Sequence, residues 1–341
     1  MKKRLCLICI CLIFAILSCF SFQKTLQAEG AVTEGKAECV MELHTRRILY
    51  ESRGDIRLPM ASTTKIATAA TVLDLCKNLQ EKVTITSESV GIEGSSVYLK
   101  VGEIYTVEEL LYGLMLRSGN DCATALALHC CDSVQAFSSK MNETAQRAGA
   151  FNTRFSNPHG LPCENHYTTA RDLSYITCYA MENPIFEKIV STQYYEPRNW
   201  KNKNKMLSNF EGAIGVKTGY TKEAGRCLVS AAKRGNMTLV STVLNCQPMY
   251  ERSSNLLEDA FSTYYYEPFV RKGDQFLIKH GKEDFFGVSR TEYSYPLSEG
   301  EESQIEIVVF PFFAKEDKEI IGQIQIYLSK RLLFSANLYK L

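Results

Sequence analysis

The stretch PMASTTKIATAA, Pro59 to Ala70, sets Ser62 and Lys65 three residues apart among small and apolar neighbours. Pro59 precedes an apolar pattern through Ile66, Ala69, Ala70 and Leu73, which predicts a helix with Ser62 and Lys65 in its first turn. Positions i and i+3 share a helix face, so the amine can come within hydrogen-bond reach of the hydroxyl. A cation there faces the positive end of the helix dipole, and burial would penalise its charge further; both effects lower the lysine pKa. A neutral amine beside a hydroxyl is a base beside a nucleophile. Taken alone the pair reads as a surface lysine near a serine, and the rest of the chain decides.

Upstream, AECVMELHTRRILYESRG (37–54) reads as two short strands around the polar turn HTRR. Downstream, TVEE is a capping box, with Thr106 as cap and Glu109 reaching back, ahead of Leu110, Leu111, Leu114 and Met115. That helix stops at RSGND. Gly119 suits the left-handed position after it, and Asn120 or Asp121 can cap a next helix from Cys122 to Cys131. A further helix spans Ser133 to Ala148, with Gly149 as its stop. FSNPHGLPCENHY (155–167) is rich in turn formers and predicts a long ordered loop, followed by the helical TTARDLSYITCYAM. GAIGVKTGYT, GRCLVSAAKR and MTLVSTVLN then read as strands, the last two joined at RGN. Beyond Pro268 the texture changes to short β-type segments separated by charged turns, up to the strand-like RLLFSANLYKL. No amphipathic helix is expected at that end.

The chain of 341 residues carries 39 basic and 38 acidic side chains, so charge argues for neither nucleic acid nor a cationic partner. Its start is more informative. MKKR is followed by eighteen uncharged, mainly apolar residues, Leu5 to Phe22, then by polar sequence: the layout of an export signal. Cleavage after Ala28, lipidation at Cys19 and retention as an anchor all stay open, and each leaves the body of the chain outside the cytoplasm, with membrane-surface association through the N-terminus. Of thirteen cysteines, Cys6, Cys9, Cys11 and Cys19 lie in that segment, leaving nine. An odd number requires a free thiol or one pairing between chains. Most sit in apolar runs as small hydrophobes, and neither a metal site nor a cofactor is expected.

Three elements now stand in order: Ser62-x-x-Lys65 on a helix, Ser118-Gly119-Asn120 at a helix corner, and Lys217-Thr218-Gly219 on a strand. Attack by Ser62 on a carbonyl creates an oxyanion that needs aimed donors, for which the Ser62 N–H and a strand edge are the sources. Lys217 supplies positive potential, Thr218 a hydroxyl and Gly219 close approach for a peptide laid along the strand and ending in a carboxylate. Ser118 offers a hydroxyl to pass a proton to a leaving amine, and Asn120 an amide to hold a substrate carbonyl or to position Lys65.

This set resembles the serine acyl-transferases that include penicillin-binding proteins and serine β-lactamases. LPMASTTKIATA, MLRSGNDCA, NPHGL with HYTTARDL, and GVKTGYTKEAGRCLVSAA narrow the resemblance to the low-molecular-mass D-alanyl-D-alanine carboxypeptidases, from about Cys39 to the end of the chain. The resemblance implies an α+β penicillin-binding fold, an antiparallel sheet flanked by helices with a helical subdomain, followed by a small all-β domain. With the N-terminal layout and the change of texture near Pro268, the chain divides into a signal (1–28), a catalytic domain (29–267) and a β-rich domain (268–341). The resemblance implies Ser62 as acylated nucleophile, Lys65 as general base, Ser118 and Asn120 as proton relay and substrate contact, and Lys217 with Thr218 as carboxylate anchors. Tyr220 would lend its backbone N–H to the oxyanion. The substrates would be peptidoglycan stem peptides, with β-lactam antibiotics as mimics. A β-lactamase of class A needs a deacylating carboxylate that Glu164 in CENHYT does not provide in the usual context; an inactive wall-binding descendant is the other alternative. His159, His166 and Asp172 read as structural groups, and TYYYEPF (263–269) as packing.

Overall fold

The computed structural model describes residues 35–280, 283–312 and 319–341. The expected export signal and its cysteines lie outside the described residues. In chain order the elements are β1 (Ala37–Glu42), β2 (Ile48–Ser52), a 3-10 turn (Ala61–Thr64), α1 (Lys65–Leu75), β3 (Lys82–Thr84), β4 (Ile104–Thr106), α2 (Val107–Leu116), α3 (Asn120–Cys130), α4 (Val134–Arg147), α5 (Ala170–Met181) and α6 (Pro184–Ser191). Then come β5 (Tyr194–Tyr195), β6 (Trp200–Lys201), α7 (Met206–Asn209), β7 (Ala213–Thr221), β8 (Gly225–Arg234), β9 (Met237–Leu244) and α8 (Met249–Thr263). The C-terminal strands are β10 (Tyr264–Val270), β11 (Gln275–His280), β12 (Glu283–Ser289), β13 (Tyr293–Ser298), β14 (Ile305–Pro311), β15 (Ile320–Leu328) and β16 (Arg331–Lys340).

The central sheet is antiparallel, in the order β2-β1-β9-β8-β7. Every residue of β9 is buried because both faces of the sheet are covered. Period-2 alternation splits the strands between two cores. Val229, Ala231, Val240 and Leu244 face the cluster under α1 and α5, while Leu228, Ala232, Leu239 and Val243 face Leu256, Leu257 and Ala260 of α8. The result is helix, sheet, helix, with β7 at one edge of the sheet.

The turn chemistry works as the sequence predicts. Thr106 and Glu109 form both bonds of the capping box, the Glu109 N–H donating to Thr106 Oγ1 at 3.0 Å and the Thr106 N–H to Glu109 Oε2 at 2.8 Å. The β8–β9 hairpin turns on Gly235 and Asn236, with Gly235 at φ +57°. A second sheet, β11-β12-β16-β15-β14, and the β10–β13 ribbon occupy the C-terminal region. The composition change near Pro268 falls within β10, whose Tyr264 and Tyr266 pack against the α8 core; Tyr264 donates its hydroxyl to the Leu49 carbonyl.

Candidate active site

The expected helix from Ser62 divides in two. Ala61–Thr64 form a 3-10 turn, and the α-helix begins at Lys65. The hydroxyls of Thr63 and Thr64 donate to the carbonyls of Met60 (2.7 Å) and Ala61 (2.8 Å), three residues back, which competes with the wider α-helical pattern. Ser62 is thereby held at a junction gripped from two sides. A Cβ on Gly160 would lie 1.9 Å from the Ala61 carbonyl oxygen, and Gly160 sits at φ +90°. A Cβ on Gly219 would come within 3.0–3.1 Å of Met60 O, Ser62 N and Thr63 N. Gly219 is therefore what lets the edge strand β7 close on the nucleophile's turn.

Lys65 is fully buried. Its Nζ lies 3.0 Å from Ser62 Oγ, 2.6 Å from Asn120 Oδ1 and 2.6 Å from the His159 carbonyl oxygen. The His159 oxygen can only accept. The Asn120 amide is oriented by its Nδ2, which donates to the Glu93 carbonyl at 2.5 Å, so its oxygen also faces Lys65 as an acceptor. A neutral amine has two N–H donors and one lone pair. The charged amine can donate to all three partners; once it is neutral, its two donors can serve Asn120 Oδ1 and the His159 oxygen, which leaves the lone pair for the Ser62 hydroxyl proton. Electrostatics point the same way: burial pushes the Lys65 pKa well below its usual value, and Lys217 and, more weakly, Lys203 push it further, against the partial opposition of the Cys122 and Asp121 side chains. The start of α1 adds its own positive end.

The Ser118-Gly119-Asn120 corner differs from the expectation. The left-handed residue is Ser118, at φ +64°, while Gly119 is extended (φ −61°, ψ 119°) and occupies the N-cap of α3. The helix starts at Asn120 with no side-chain cap, because both candidate caps are engaged elsewhere. The Asn120 amide bridges Lys65 and Glu93. The Asp121 carboxylate accepts from Ser96 Oγ and from the N–H groups of Val97 and Leu99, pinning the 96–99 loop beside the site. Gly119 has no room for a side chain: its Cβ would lie 2.7 Å from Asp121 Oδ1 and 3.0 Å from Cys122 Sγ. The Ser118 side chain is buried and contacts neither Ser62 nor Lys65 through a hydrogen bond.

On β7, Lys217 is buried and donates to the Thr218 carbonyl at 2.8 Å. Burial, reinforced by Lys203, lowers its pKa to about 7. Thr218 is half-buried, and Tyr220 presents an exposed ring with the Arg226 guanidinium over it. Lys203 was not signalled by any motif. Its Nζ reaches Ser95 Oγ at 3.3 Å, and its charge acts on both Lys65 and Lys217, making a third lysine at the site.

The 155–167 loop is irregular, as expected, and the His166 ring is tied into it by hydrogen bonds. His166 Nδ1 accepts from the Ser156 N–H, and Nε2 faces Thr64 Oγ1 at 2.9 Å. Since the Thr64 hydroxyl donates to Ala61 O, His166 donates through Nε2 and is satisfied as the neutral tautomer. Burial, and then the Lys65 charge, lower its pKa to about 4, and that of His159 to about 3. Glu164 is exposed. Asp172 accepts from Asn152 N and Thr153 Oγ1 at the start of α5.

Residues 23–248 match the D-alanyl-D-alanine carboxypeptidase family (peptidase S11). The chain belongs to that family. D-alanyl-D-alanine carboxypeptidase DacF of Bacillus subtilis is 31% identical over 292 residues, covering 81% of this chain and 75% of its own. The D-alanyl-D-alanine carboxypeptidase of Streptomyces sp. K15 is 40% identical over 234 residues, 62% of this chain and 80% of its own. The crystal structure of penicillin-binding protein 5 from Haemophilus influenzae superposes with a TM-score of 0.75 at 26% identity, covering 92% of this chain and 97% of that one. This S11 member is accordingly a serine peptidase on the penicillin-binding α+β fold, and the likeness in structure extends past the matched family region into the C-terminal strands.

Proposed function

We propose that the chain removes the terminal D-alanine from peptidoglycan pentapeptide stems through an acyl-enzyme on Ser62. The observation that carries the reading is the buried Lys65 amine, 3.0 Å from Ser62 Oγ and held by Asn120 Oδ1 and the His159 carbonyl oxygen. Ser62 Oγ attacks the carbonyl of the penultimate D-alanine while its proton passes to Lys65. The oxyanion is met by the Ser62 and Tyr220 N–H groups, next to the close approach at Gly219. Ser118 relays the proton to the nitrogen of the leaving D-alanine, Asn120 holds Lys65 and the substrate, and Lys217 with Thr218 anchors the terminal carboxylate. Water then hydrolyses the ester, with Lys65 again as base. β-Lactams acylate Ser62 by the same attack on a strained amide. Work on peptidoglycan places the enzyme outside the cytoplasm, delivered by the apolar N-terminal segment, with residues 29–267 as the catalytic part and 268–341 as a β-rich appendage.

The test is incubation with diacetyl-Lys-D-Ala-D-Ala. D-alanine release that vanishes in Ser62→Ala supports the reading, and no release by folded protein overturns it. Fluorescent penicillin labelling that is likewise lost in Ser62→Ala separates an acylating enzyme from an inactive wall-binding protein.

A further inference from the structure

The far ends of α1 and α3 hold a feature that the reaction does not use. Both helices begin at the site, Lys65 being the first residue of α1 and Asn120 the first of α3, with their side chains 2.6 Å apart. They therefore run side by side in the same direction. Cys76 follows the last residue of α1, and Cys130 is the last residue of α3; their sulfurs are 3.1 Å apart. Both thiols are half-buried, whereas Cys39, Cys122, Cys178, Cys227 and Cys246 are fully buried, and Cys163 is exposed.

We propose that Cys76 and Cys130 form a disulfide when the protein meets a small-molecule disulfide oxidant, cross-linking α1 to α3 at the ends opposite Lys65 and Asn120. The geometry asks little, since the sulfurs have only to close from 3.1 Å to the bonded distance of about 2.05 Å. Either thiol can donate to the other across this contact; with Cys130 as donor the bond lowers the Cys76 pKa, and the step is written with Cys76 as the attacking thiolate. That thiolate attacks one sulfur of the external disulfide, forming a mixed disulfide and releasing one thiolate. Cys130 then attacks the Cys76 sulfur and releases the second. Two electrons pass to the oxidant, and the two thiol protons end on the two released thiols. The cross-link closes a loop between positions 54 apart that contains α2, the 96–99 loop and the Ser118 corner. It also accounts for two of the nine cysteines outside the N-terminal segment.

The experiment equilibrates the folded protein with oxidised glutathione or with dithiothreitol, quenches in acid, alkylates with N-ethylmaleimide and maps the peptides by mass spectrometry. The expected result is a Cys76–Cys130 linked peptide in the oxidised sample, reversed by dithiothreitol. The oxidised form should unfold about 5 °C or more above the reduced form, as a constraint on a loop of this length implies. Cys76→Ser and Cys130→Ser should each lose the linked peptide and the shift while still taking up fluorescent penicillin. Full alkylation of both cysteines after oxidation overturns the proposal, as does a linkage through Cys131 instead. Peptide masses and unfolding midpoints do not depend on the D-alanine reading, so the two can fail separately.

Discussion

Replacing Asn120 by aspartate tests the protonation of Lys65. The substitution keeps the shape of the side chain but puts a carboxylate oxygen where the amide oxygen stands, 2.6 Å from Lys65 Nζ. Two unit charges at that distance attract by about 6 kcal/mol at an effective dielectric constant near 20, an upper limit of roughly 4–5 pKa units. The cost of burying the carboxylate, and its approach to the Glu93 carbonyl that now accepts from the amide, reduce this to about 2–3 units, in line with other close ion pairs. Lys65 then stays charged to higher pH, and at pH below its original pKa the fraction able to accept from Ser62 falls on the order of 10²-fold or more. The assay is the second-order rate of Ser62 acylation by fluorescent penicillin across pH 5 to 10, with folding checked by thermal unfolding. The reasoning predicts an acid limb displaced upward by about 2 units or more, with activity recovering toward high pH. A uniformly slower enzyme with an unmoved acid limb would refute it.

Lys217, at about pKa 7, sets the other side of the profile: kcat/KM for the D-Ala-D-Ala peptide should fall as pH rises through about 7 in the free enzyme, as the carboxylate anchor loses its charge. Lys217→Arg should move that fall beyond the assay range, and an unchanged alkaline limb would contradict the assignment. Gly219→Ala forces a Cβ against Met60 O, Ser62 N and Thr63 N, so acylation should slow by roughly tenfold or more with a comparatively small drop in unfolding temperature; full activity would show that the strand need not approach so closely. His166 is buried and His159 half-buried, both as neutral rings, with pKa values of about 4 and about 3, below the ordinary 6.5. The unfolded chain therefore binds more protons below that value, and stability should be lost as pH falls from 6.5 toward 4. An unfolding midpoint that stays flat between pH 6.5 and 5 would refute their being held neutral in the folded chain.

Elements that announce themselves by side-chain pattern were legible in the sequence: the 37–54 hairpin, the Thr106 capping box, and the three strands around Lys217. So was the meeting of Ser62, Lys65 and Asn120, since each motif carries its chemistry in a side chain. What escaped is work done by the backbone or across long separations. The His159 carbonyl that accepts from Lys65 leaves no mark in residue type, though Gly160 beside it, inside NPHGL, signalled an unusual turn. Ser118 takes the left-handed conformation expected of Gly119 because packing against Asp121 and Cys122, not backbone freedom, is what requires glycine there. Asp121 looked like a helix cap but organises a loop more than twenty positions upstream. Lys203 has no motif, and only the fold brings it to the other two lysines. The 3-10 turn at Ser62 depends on two threonine hydroxyls whose choice of partner no periodicity reports.

The central claim is that Lys65 is a neutral amine next to Ser62 in the resting enzyme. The most direct measurement is nitrogen NMR of protein labelled at lysine Nζ, with the Lys65 signal assigned by its absence in Lys65→Gln. A Lys65 resonance in the neutral-amine range at pH 7, charging only on acidification, is the predicted result. An ammonium signal that persists to pH 10 would contradict the account.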